Sequence, residues 1–352
     1  MRAIVYHGNK DLRLQDWAEP SPGPRDLKLK ITYCGICATD IEEWQFGPLY
    51  VQHDTPNPIT GRMMPLVPGH EFTGRVTEVG QEVEGFAPGD RVAVYDVATC
   101  GHCYWCRKGE NSSCPNMAVP GMATDGGLAE FAVWPAELCK LLPDSVADDE
   151  APFLEPATVA THAVRRSGAS IGDTVAVLGV GTVGLLALQV LKAAGTEVIA
   201  IDRKARNLQL AAKLGANHTV DVSQVDGGAR LLELTGGIGP DVVLETSGAA
   251  EAPVQAIQWV RRQGRAVLVG IYAARPQIHF NDVVGFEREV IGSLAGTRRD
   301  FETALDLFAS GKVGVRDLIS DIVPLERAIP DGFERMLSPE KDVFRILVGS
   351  GP

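Results

Sequence analysis

The second half of the chain carries a glycine-rich turn between an apolar run and an amphipathic helix. The segment TVAVLGVGTVG places Gly179, Gly181 and Gly184 in GxGxxG spacing. In this context the first glycine permits a tight strand-to-helix turn, the second lets backbone approach a pyrophosphate, and the third lets the helix pack closely on the sheet. The amides of Thr182 and Val183, at the helix start, would hold the phosphates. The spacing predicts a dinucleotide-binding unit.

An acidic residue follows the glycine turn at the end of the next predicted strand. Asp202 stands where a carboxylate can accept hydrogen bonds from both hydroxyls of an adenosine ribose, and it would repel a 2′-phosphate. This favours NAD over NADP. The neighbouring Arg203 is a second candidate at the ribose, and a surface arginine is its alternative. Two other interpretations of the turn stay open, a simple packing turn and the adenosyl-cofactor site of a methyltransferase.

Alternating strand and helix patterns surround the turn. From about residue 155 onward, apolar runs such as EVIAID, DVVLETSG and RAVLVGIY alternate with helical segments. This order predicts a doubly wound parallel sheet, and hence an α/β fold. Residues 1–153 instead show short β-branched runs separated by Gly and Pro, typical of a β-rich domain. The β-rich tail ending in FRILVGS is expected to rejoin that first domain.

Four cysteines lie close together in TCGHCYWCRKGENSSC. Their spacing is CxxCxxCx7C, at Cys100, Cys103, Cys106 and Cys114. Such a loop can fold four thiolates into a tetrahedron, which suits zinc and leaves no open coordination position. We expect a structural zinc that fixes a loop with no core of its own. A redox pair and an iron–sulfur cluster are the alternatives.

A second set of potential metal ligands is scattered along the first half of the chain. Cys37 lies in CGICATD, His70 and Glu71 in PGHE, and Glu155 in FLEPATV. One thiolate, one imidazole and one or two carboxylates would supply three protein ligands and leave a position for water or substrate, the pattern of a catalytic zinc. Whether these positions meet in space is left open by the sequence.

Composition excludes several other classes. The chain has 352 residues with 45% hydrophobic and 22% charged residues, enough for about two domains with sizeable cores. Its net charge of −12 opposes binding to nucleic acid or anionic lipid. No run of 18 uncharged apolar residues and no secretory leader pattern is visible, so we expect a cytoplasmic protein with a small-molecule substrate and no membrane partner.

The motifs together resemble the zinc-containing medium-chain alcohol dehydrogenases. CGICATD, PGHEFTGRVTEVG followed by APGDRV, the four-cysteine loop, EPATVATHAV and the glycine turn occur in that family's order over essentially the whole chain. The stretch WQFGPLYVQHDTPNPITGRMMPLVPGHE most resembles the 2,3-butanediol and sorbitol dehydrogenase branch. The resemblance implies a GroES-like catalytic domain at 1–154, a Rossmann domain at 155–294, and a segment at 295–352 that completes the catalytic domain.

The resemblance also implies roles for individual residues. Cys37, His70 and a glutamate, Glu71 or Glu155, would bind a catalytic zinc that acidifies a secondary alcohol. Thr39 would take the proton of that alcohol, and Asp40 would accept a hydrogen bond from the imidazole. A histidine usual in this branch is replaced by Glu42, so the outer part of the proton relay is open.

Three further residues are expected to bind the nicotinamide end of the cofactor. Val269, Gly270 and Ile271, which follow the RAVLVG run, are expected to contact the nicotinamide amide through their backbone. We therefore expect an enzyme that interconverts secondary alcohols, vicinal diols or polyols with ketones, using NAD and two zinc ions per chain, as a homodimer or homotetramer. A zinc-free NADPH enone or quinone reductase is one alternative. A non-catalytic dinucleotide-sensing protein with a structural zinc loop is the other.

Overall fold

A computed structural model describes residues 1–273, 275–338 and 343–349. The chain divides into two compact units. The first contains Met1–Glu155 and the stretch from Val315 onward, and the second contains Pro156–Gly314. The second unit is therefore inserted, in sequence, into the first.

The first unit is built on β-strands. Its strands among the described residues are β1 Arg2–Gly8, β2 Asp11–Asp16, β3 Asp26–Gly35, β4 Glu71–Val79, β5 Arg91–Val94, β6 Phe131–Pro135, β7 Cys139–Leu141, β14 Ile319–Val323 and β15 Arg345–Gly349. The main sheet has the order β14-β15-β3-β4-β5-β7, with β6 also paired to β3, and β1 pairs with β2 separately. Alternating residues of β3, such as Leu27, Leu29 and Ile31, are buried in the core of this unit, as the period-two pattern of a half-buried strand predicts.

The carboxyl-terminal strand of this unit pairs with an early one. β15 runs antiparallel to β3, with Leu347 opposite Gly35, and the amide of Ile36 donates to the carbonyl of Ile346 at 3.0 Å. On its other side β3 pairs with β4, where Gly35 lies opposite Glu71. This register places the starts of β15 and β4 on either side of the end of β3.

The second unit is a parallel sheet with helices. Its strands are β8 Thr174–Leu178, β9 Glu197–Asp202, β10 His218–Asp221, β11 Val242–Glu245, β12 Arg265–Leu268 and β13 Glu289–Gly292. They follow the order β10-β9-β8-β11-β12-β13, and every pair is parallel. The order reverses direction between β8 and β11, which is where an open α/β sheet leaves a crevice for a ligand.

Helices connect the strands of both units. Within the described part of the chain they are α1 Ala38–Phe46, α2 Tyr104–Arg107, α3 Leu154–Ser167, α4 Thr182–Ala193, α5 Ala205–Lys213, α6 Gly227–Leu234, α7 Ala252–Trp259, α8 Asn281–Val284, α9 Arg298–Ala309 and α10 Glu334–Leu337. None of the helices described has the length and apolar character needed to cross a bilayer.

The predicted α/β fold class is confirmed, with a GroES-like sheet domain and a Rossmann-like parallel sheet. The length of one element differs from the sequence prediction. The run RAVLVGIY forms a strand only as far as Leu268, because the amides of Val269 and Gly270 turn to the carbonyl of Glu245. The edge strand β13 and the helix α1 were not predicted, since both are short and carry mixed polar and apolar residues.

Candidate active site

Cys37 lies at the amino-terminal end of α1, where β3 gives way to the helix. Its amide donates to Asp40 Oδ2 at 2.8 Å, which fixes the first turn of α1 around the cysteine. Thr39 Oγ1 lies 3.6 Å from Cys37 Sγ. The helix cap therefore holds three of the predicted catalytic residues within one turn.

His70 and Glu71 approach Cys37 from the start of β4. One ligand atom from each of the three side chains lies within 4.8 Å of the other two, and both His70 and Glu71 are buried. The structure thus brings together a thiolate, an imidazole and a carboxylate that are 34 residues apart in sequence. Neither oxygen of Glu71 accepts a hydrogen bond from any group in the described residues.

Asp40 faces His70 without the expected hydrogen bond. Its Oδ1 lies 3.6 Å from His70 Nδ1, beyond hydrogen-bond distance, and the other oxygen of the same carboxylate accepts a hydrogen bond from the Cys37 amide. Burial lowers the pKa of His70, but the charges of Asp40 and Cys37 outweigh it and raise this pKa well above its ordinary value.

Arg345 is a member of the site that sequence reasoning missed. Its Nη2 lies 3.0 Å from Glu71 Oε1, and its Nη1 donates to the carbonyl of Ile36 at 2.8 Å. Burial disfavours its charge, but Glu71, Cys37 and Glu155 outweigh that effect and raise the pKa of Arg345. A lone charged residue at the start of the apolar strand FRILVGS was the available signal, because such a charge is rarely buried without a partner.

Glu155 and Asp96 add further negative charge. Glu155 is not in the group of three ligand atoms just described, but burial and the charge of Asp96 raise its pKa well above the ordinary range. Burial raises the pKa of Asp96 to about 6, and the charge of Glu71 contributes in the same direction. Asp96 follows β5 and was not predicted from the sequence.

The donor set fits a zinc ion. Cys37, Glu71 and Asp40 carry negative charge in their ionised forms, and Arg345 is a permanent cation beside Glu71. The buried oxygens of Glu71 make no hydrogen bond among the described residues and are paired with Arg345 alone, so the carboxylate keeps lone pairs free to bind a metal ion. A site with three protein ligands leaves a coordination position for substrate.

The adjacent acids Glu42 and Glu43 have different surroundings. Glu43 is buried, and its Oε2 accepts hydrogen bonds from the amides of Leu49 and Tyr50 at 3.0 and 2.7 Å. Glu42 is partly buried, and its Oε2 accepts from the Tyr50 hydroxyl at 3.3 Å. Burial raises the pKa of Glu42.

The four clustered cysteines form a second metal-binding group. All four Sγ atoms lie within 4.8 Å of one another. The separations are 3.9 Å for Cys100 and Cys106, 3.4 Å for Cys103 and Cys106, 4.0 Å for Cys103 and Cys114, and 3.7 Å for Cys114 and Cys100. A tetrahedron of thiolates about 2.3 Å from zinc has edges of about 3.8 Å. The cysteines are free of disulfides, and they fit a zinc site without an open position.

The glycine turn has the conformation expected for a dinucleotide fingerprint. Gly179 follows β8 with φ +90°, and a Cβ there would lie 2.5 Å from the Cβ of Ser247. Gly184 packs so closely that an added Cβ would overlap the carbonyl oxygen of Gly179. Gly181 is the N-cap of α4, with open space beside it. Thr182 and Val183 form the first turn of that helix.

Asp202 closes the same turn from the end of β9. Its Oδ2 accepts hydrogen bonds from the Val180 amide at 2.9 Å and from Asn207 Nδ2 at 3.1 Å, and its Oδ1 accepts from the Lys204 amide at 2.9 Å. The carboxylate therefore has a fixed orientation beside the glycine turn. Arg203 is exposed.

The three residues predicted for the nicotinamide amide follow β12 on the neighbouring part of the sheet. The amides of Val269 and Gly270 donate to the carbonyl of Glu245 at 2.9 and 3.3 Å. These two amides are therefore already partnered. Ile271, the next residue of the turn, is 48% exposed.

Comparison with known proteins agrees with this architecture. Residues 23–144 match the family model of the alcohol dehydrogenase GroES-like domain, and residues 182–310 match that of the zinc-binding dehydrogenases. The (R,R)-butanediol dehydrogenase of Bacillus subtilis is 38% identical over 99% of both chains. A sorbitol dehydrogenase of Halalkalibacterium halodurans is 35% identical over 91% of this chain and 92% of its own.

Solved structures show the same relationship. The crystal structure of 2R,3R-butanediol dehydrogenase from Bacillus subtilis superposes with a TM-score of 0.92 at 35% identity, covering 99% of both chains. A putative zinc-binding dehydrogenase from Sinorhizobium meliloti, bound to NADP, superposes with a TM-score of 0.89 at 31% identity, also over 99% of both chains.

These findings show that the chain belongs to the zinc-containing medium-chain alcohol dehydrogenases, near the butanediol and sorbitol dehydrogenases. It is an oxidoreductase that uses zinc and a nicotinamide dinucleotide. The predicted family and enzyme class are confirmed. The zinc-free reductase and the non-catalytic sensing protein are therefore set aside.

Proposed function

We propose that the enzyme interconverts a secondary alcohol, with vicinal diols such as 2,3-butanediol and related polyols as the favoured class, and the corresponding ketone. The observation that carries this proposal is the group of Cys37, His70 and Glu71, whose ligand atoms lie within 4.8 Å of one another. Zinc bound there would act as a Lewis acid that lowers the pKa of a coordinated hydroxyl group.

The residues of the chain have separate tasks in this reaction. Cys37, His70 and Glu71 hold the metal, with Glu155 as an alternative carboxylate ligand. Thr39, two residues after Cys37 in the first turn of α1, would accept the hydroxyl proton of the substrate while its own hydroxyl proton passes outward to solvent. Asp40 holds the first turn of α1 through the Cys37 amide and places a negative charge beside His70.

We further propose that each chain binds two zinc ions and prefers NAD. The thiol separations of 3.4–4.0 Å support a structural zinc at Cys100, Cys103, Cys106 and Cys114. The carboxylate of Asp202 supports NAD, because it would repel the 2′-phosphate of NADP. The turn of Gly179, Gly181, Thr182, Val183 and Gly184 binds the pyrophosphate, and Val269, Gly270 and Ile271 contact the nicotinamide.

A homodimer or homotetramer is the proposed assembly. Strand β13 lies at an edge of its sheet, and Val290 on it is 42% exposed while Leu294 just beyond it is 58% exposed. An exposed apolar sheet edge is normally covered by another chain or element. Light scattering after size-exclusion chromatography measures the assembly directly, and a monomer of 37.6 kDa would contradict this proposal.

The decisive experiment is a substrate panel. Diols, polyols and aryl secondary alcohols are assayed by NADH appearance, with untreated enzyme, chelator-treated enzyme and zinc-restored enzyme. We expect turnover of vicinal diols that chelation abolishes and zinc restores, with about two zinc ions per chain in the untreated protein. Activity that survives complete zinc removal would overturn the proposal.

A further inference from the structure

Glu245, at the end of β11, is a completely buried carboxylate outside the groups assigned above. Its exposure is 0%. No lysine, arginine or histidine among the described residues forms an ion pair with it. Hydrogen-bond donors from two different turns satisfy this carboxylate instead, and a buried charge held only by neutral donors is expensive to maintain. Its surroundings therefore indicate a specific task.

One carboxylate oxygen organises the turn that follows β11. Oε1 accepts hydrogen bonds from the Ser247 amide at 2.7 Å, the Ser247 hydroxyl at 2.6 Å and the Gly248 amide at 3.0 Å. This turn contacts the dinucleotide fingerprint directly, because the Thr246 hydroxyl donates to the carbonyl of Gly179. The first oxygen thus stabilises the turn that packs against the pyrophosphate side of the site.

The other half of Glu245 faces the turn that follows β12. Oε2 accepts a hydrogen bond from the hydroxyl of Tyr272, and the backbone carbonyl of Glu245 accepts from the amides of Val269 and Gly270. Burial, with a further contribution from Glu245, raises the pKa of Tyr272. The tyrosine therefore stays a hydrogen-bond donor across the working pH range.

We propose that Glu245 is a positioning residue which, through Tyr272, holds the turn Val269–Tyr272 in the orientation needed by the nicotinamide half of the cofactor. The inference rests on the proposed function, in which this turn contacts the nicotinamide. Through its other oxygen, Glu245 links the same turn to the one beside Gly179. A single buried carboxylate thus sets the relative position of two turns at the carboxyl edge of the parallel sheet.

Tyr272→Phe separates the two oxygens experimentally, because it removes the donor to Oε2 and leaves the donors to Oε1 in place. The affinities for NADH and for ADP-ribose, which lacks the nicotinamide, are measured by calorimetry. We expect the variant to weaken NADH binding roughly tenfold, as for loss of one hydrogen bond to a charged group. ADP-ribose affinity should stay within about twofold.

Two outcomes would overturn the inference. Unchanged NADH affinity would show that Tyr272 does not hold the turn, and equal weakening of NADH and ADP-ribose would show a general structural role. If the unaltered enzyme binds neither probe, the proposed function itself fails, and the two failures are thus distinguishable. Tyr104→Phe, which makes the same chemical change at an exposed residue of the first unit, is the matched control and should alter neither affinity.

Conservative replacement provides an independent check. Glu245→Gln keeps an oxygen for the Ser247 and Gly248 amides and offers an N–H group to the oxygen of Tyr272. We expect it to retain NADH affinity within roughly threefold, whereas Glu245→Ala should lose it and unfold at lower temperature. NADH affinity in Glu245→Gln as low as in Tyr272→Phe would count against positioning through Tyr272.

Discussion

Arg345 and Glu71 form an ion pair at 3.0 Å in which the two side chains are only 5% and 1% exposed. The same carboxylate belongs to the group of potential zinc ligands. The guanidinium group of Arg345 also donates a hydrogen bond to the backbone carbonyl of Ile36. Arg345 therefore restrains the position of Glu71 within this group.

Replacing Arg345 by Met should leave Glu71 as a buried charge without its cation. Breaking a buried pair in this way costs about 3–5 kcal/mol of unfolding free energy, and we expect zinc content at the catalytic site to change as well. Chemical denaturation and elemental analysis measure the two effects. Arg230→Met, which removes the cation of the exposed Arg230–Glu233 pair, is the control; equal destabilisation by both variants would contradict the interpretation.

Replacing Cys106 by Ser should remove one zinc per chain. The loop Cys100–Cys114 then loses the metal that fixes it, so we expect a melting temperature lower by roughly 5 °C or more. The control is Cys139→Ala, which alters a buried thiol outside the cluster and should leave two zinc ions bound. A Cys106→Ser protein that retains both ions would show that the four-thiolate site is wrongly assigned.

Replacing Asp202 by Asn should shift cofactor preference toward NADP. The amide keeps an oxygen for the Val180 or Lys204 amide but removes the charge that opposes a 2′-phosphate. We expect the ratio of kcat/KM for NAD over NADP to fall by roughly 100-fold. Steady-state assays with both cofactors measure the ratio, and a ratio equal to that of the unaltered enzyme would exclude Asp202 from the ribose site.

Glu42 can be tested as the outer group of the proton relay through the pH profile of alcohol oxidation. An acceptor must be ionised, so activity carried by Glu42 falls as pH drops through its raised pKa. We expect Glu42→Gln to lower kcat roughly tenfold and to lose this acid limb. Tyr50→Phe removes the hydrogen bond that lowers the pKa of Glu42, so its acid limb should move to higher pH. Superimposable profiles for all three proteins would place Glu42 outside the relay.

Asp96 should make the metal-free protein less stable as pH rises. Burial raises its folded-state pKa to about 6 from the ordinary value of 3.8, so its contribution is fully present below pH 3.8 and is lost as pH rises through 6. Asp96→Asn should remove this dependence and stabilise the metal-free protein at pH 7 by up to about 3 kcal/mol. Urea unfolding at pH 5 and pH 7 tests this, with Glu233→Gln at an exposed position as control. If the unfolding free energy changed between the two pH values by the same amount in Asp96→Asn as in the unaltered protein, the prediction would be wrong.

The sequence predicted the parts of this enzyme that depend on local patterns. The glycine turn, the parallel strands and the four-cysteine loop each depend on spacing within a short segment, and each forms as expected. The meeting of Cys37, His70 and Glu71 depends on strand register, and it was inferred from family resemblance before the structure showed it.

Local sequence patterns could not predict the roles of Arg345 and Asp96 or the buried side of α1. Arg345 reaches Glu71 only because β15 pairs with β3, a contact between residues more than 300 positions apart in sequence. Glu42 and Glu43 are neighbours of identical chemistry, and adjacent helix positions differ by about 100° in direction. Which of the two is buried depends on the path of the loop after Gly47, whose backbone amides donate hydrogen bonds to Glu43.

The pairing of β15 with β3 has a consequence for how the enzyme is made. During synthesis on the ribosome, the potential zinc ligands Cys37, His70 and Glu71 emerge long before Arg345, and the second unit, Pro156–Gly314, is translated in between. The metal centre therefore lacks its balancing cation until the last strand has been added. Newly made chains should acquire a stable zinc at this centre only after Arg345 has emerged and β15 has paired with β3, whereas the four-cysteine loop can take up its ion much earlier in translation.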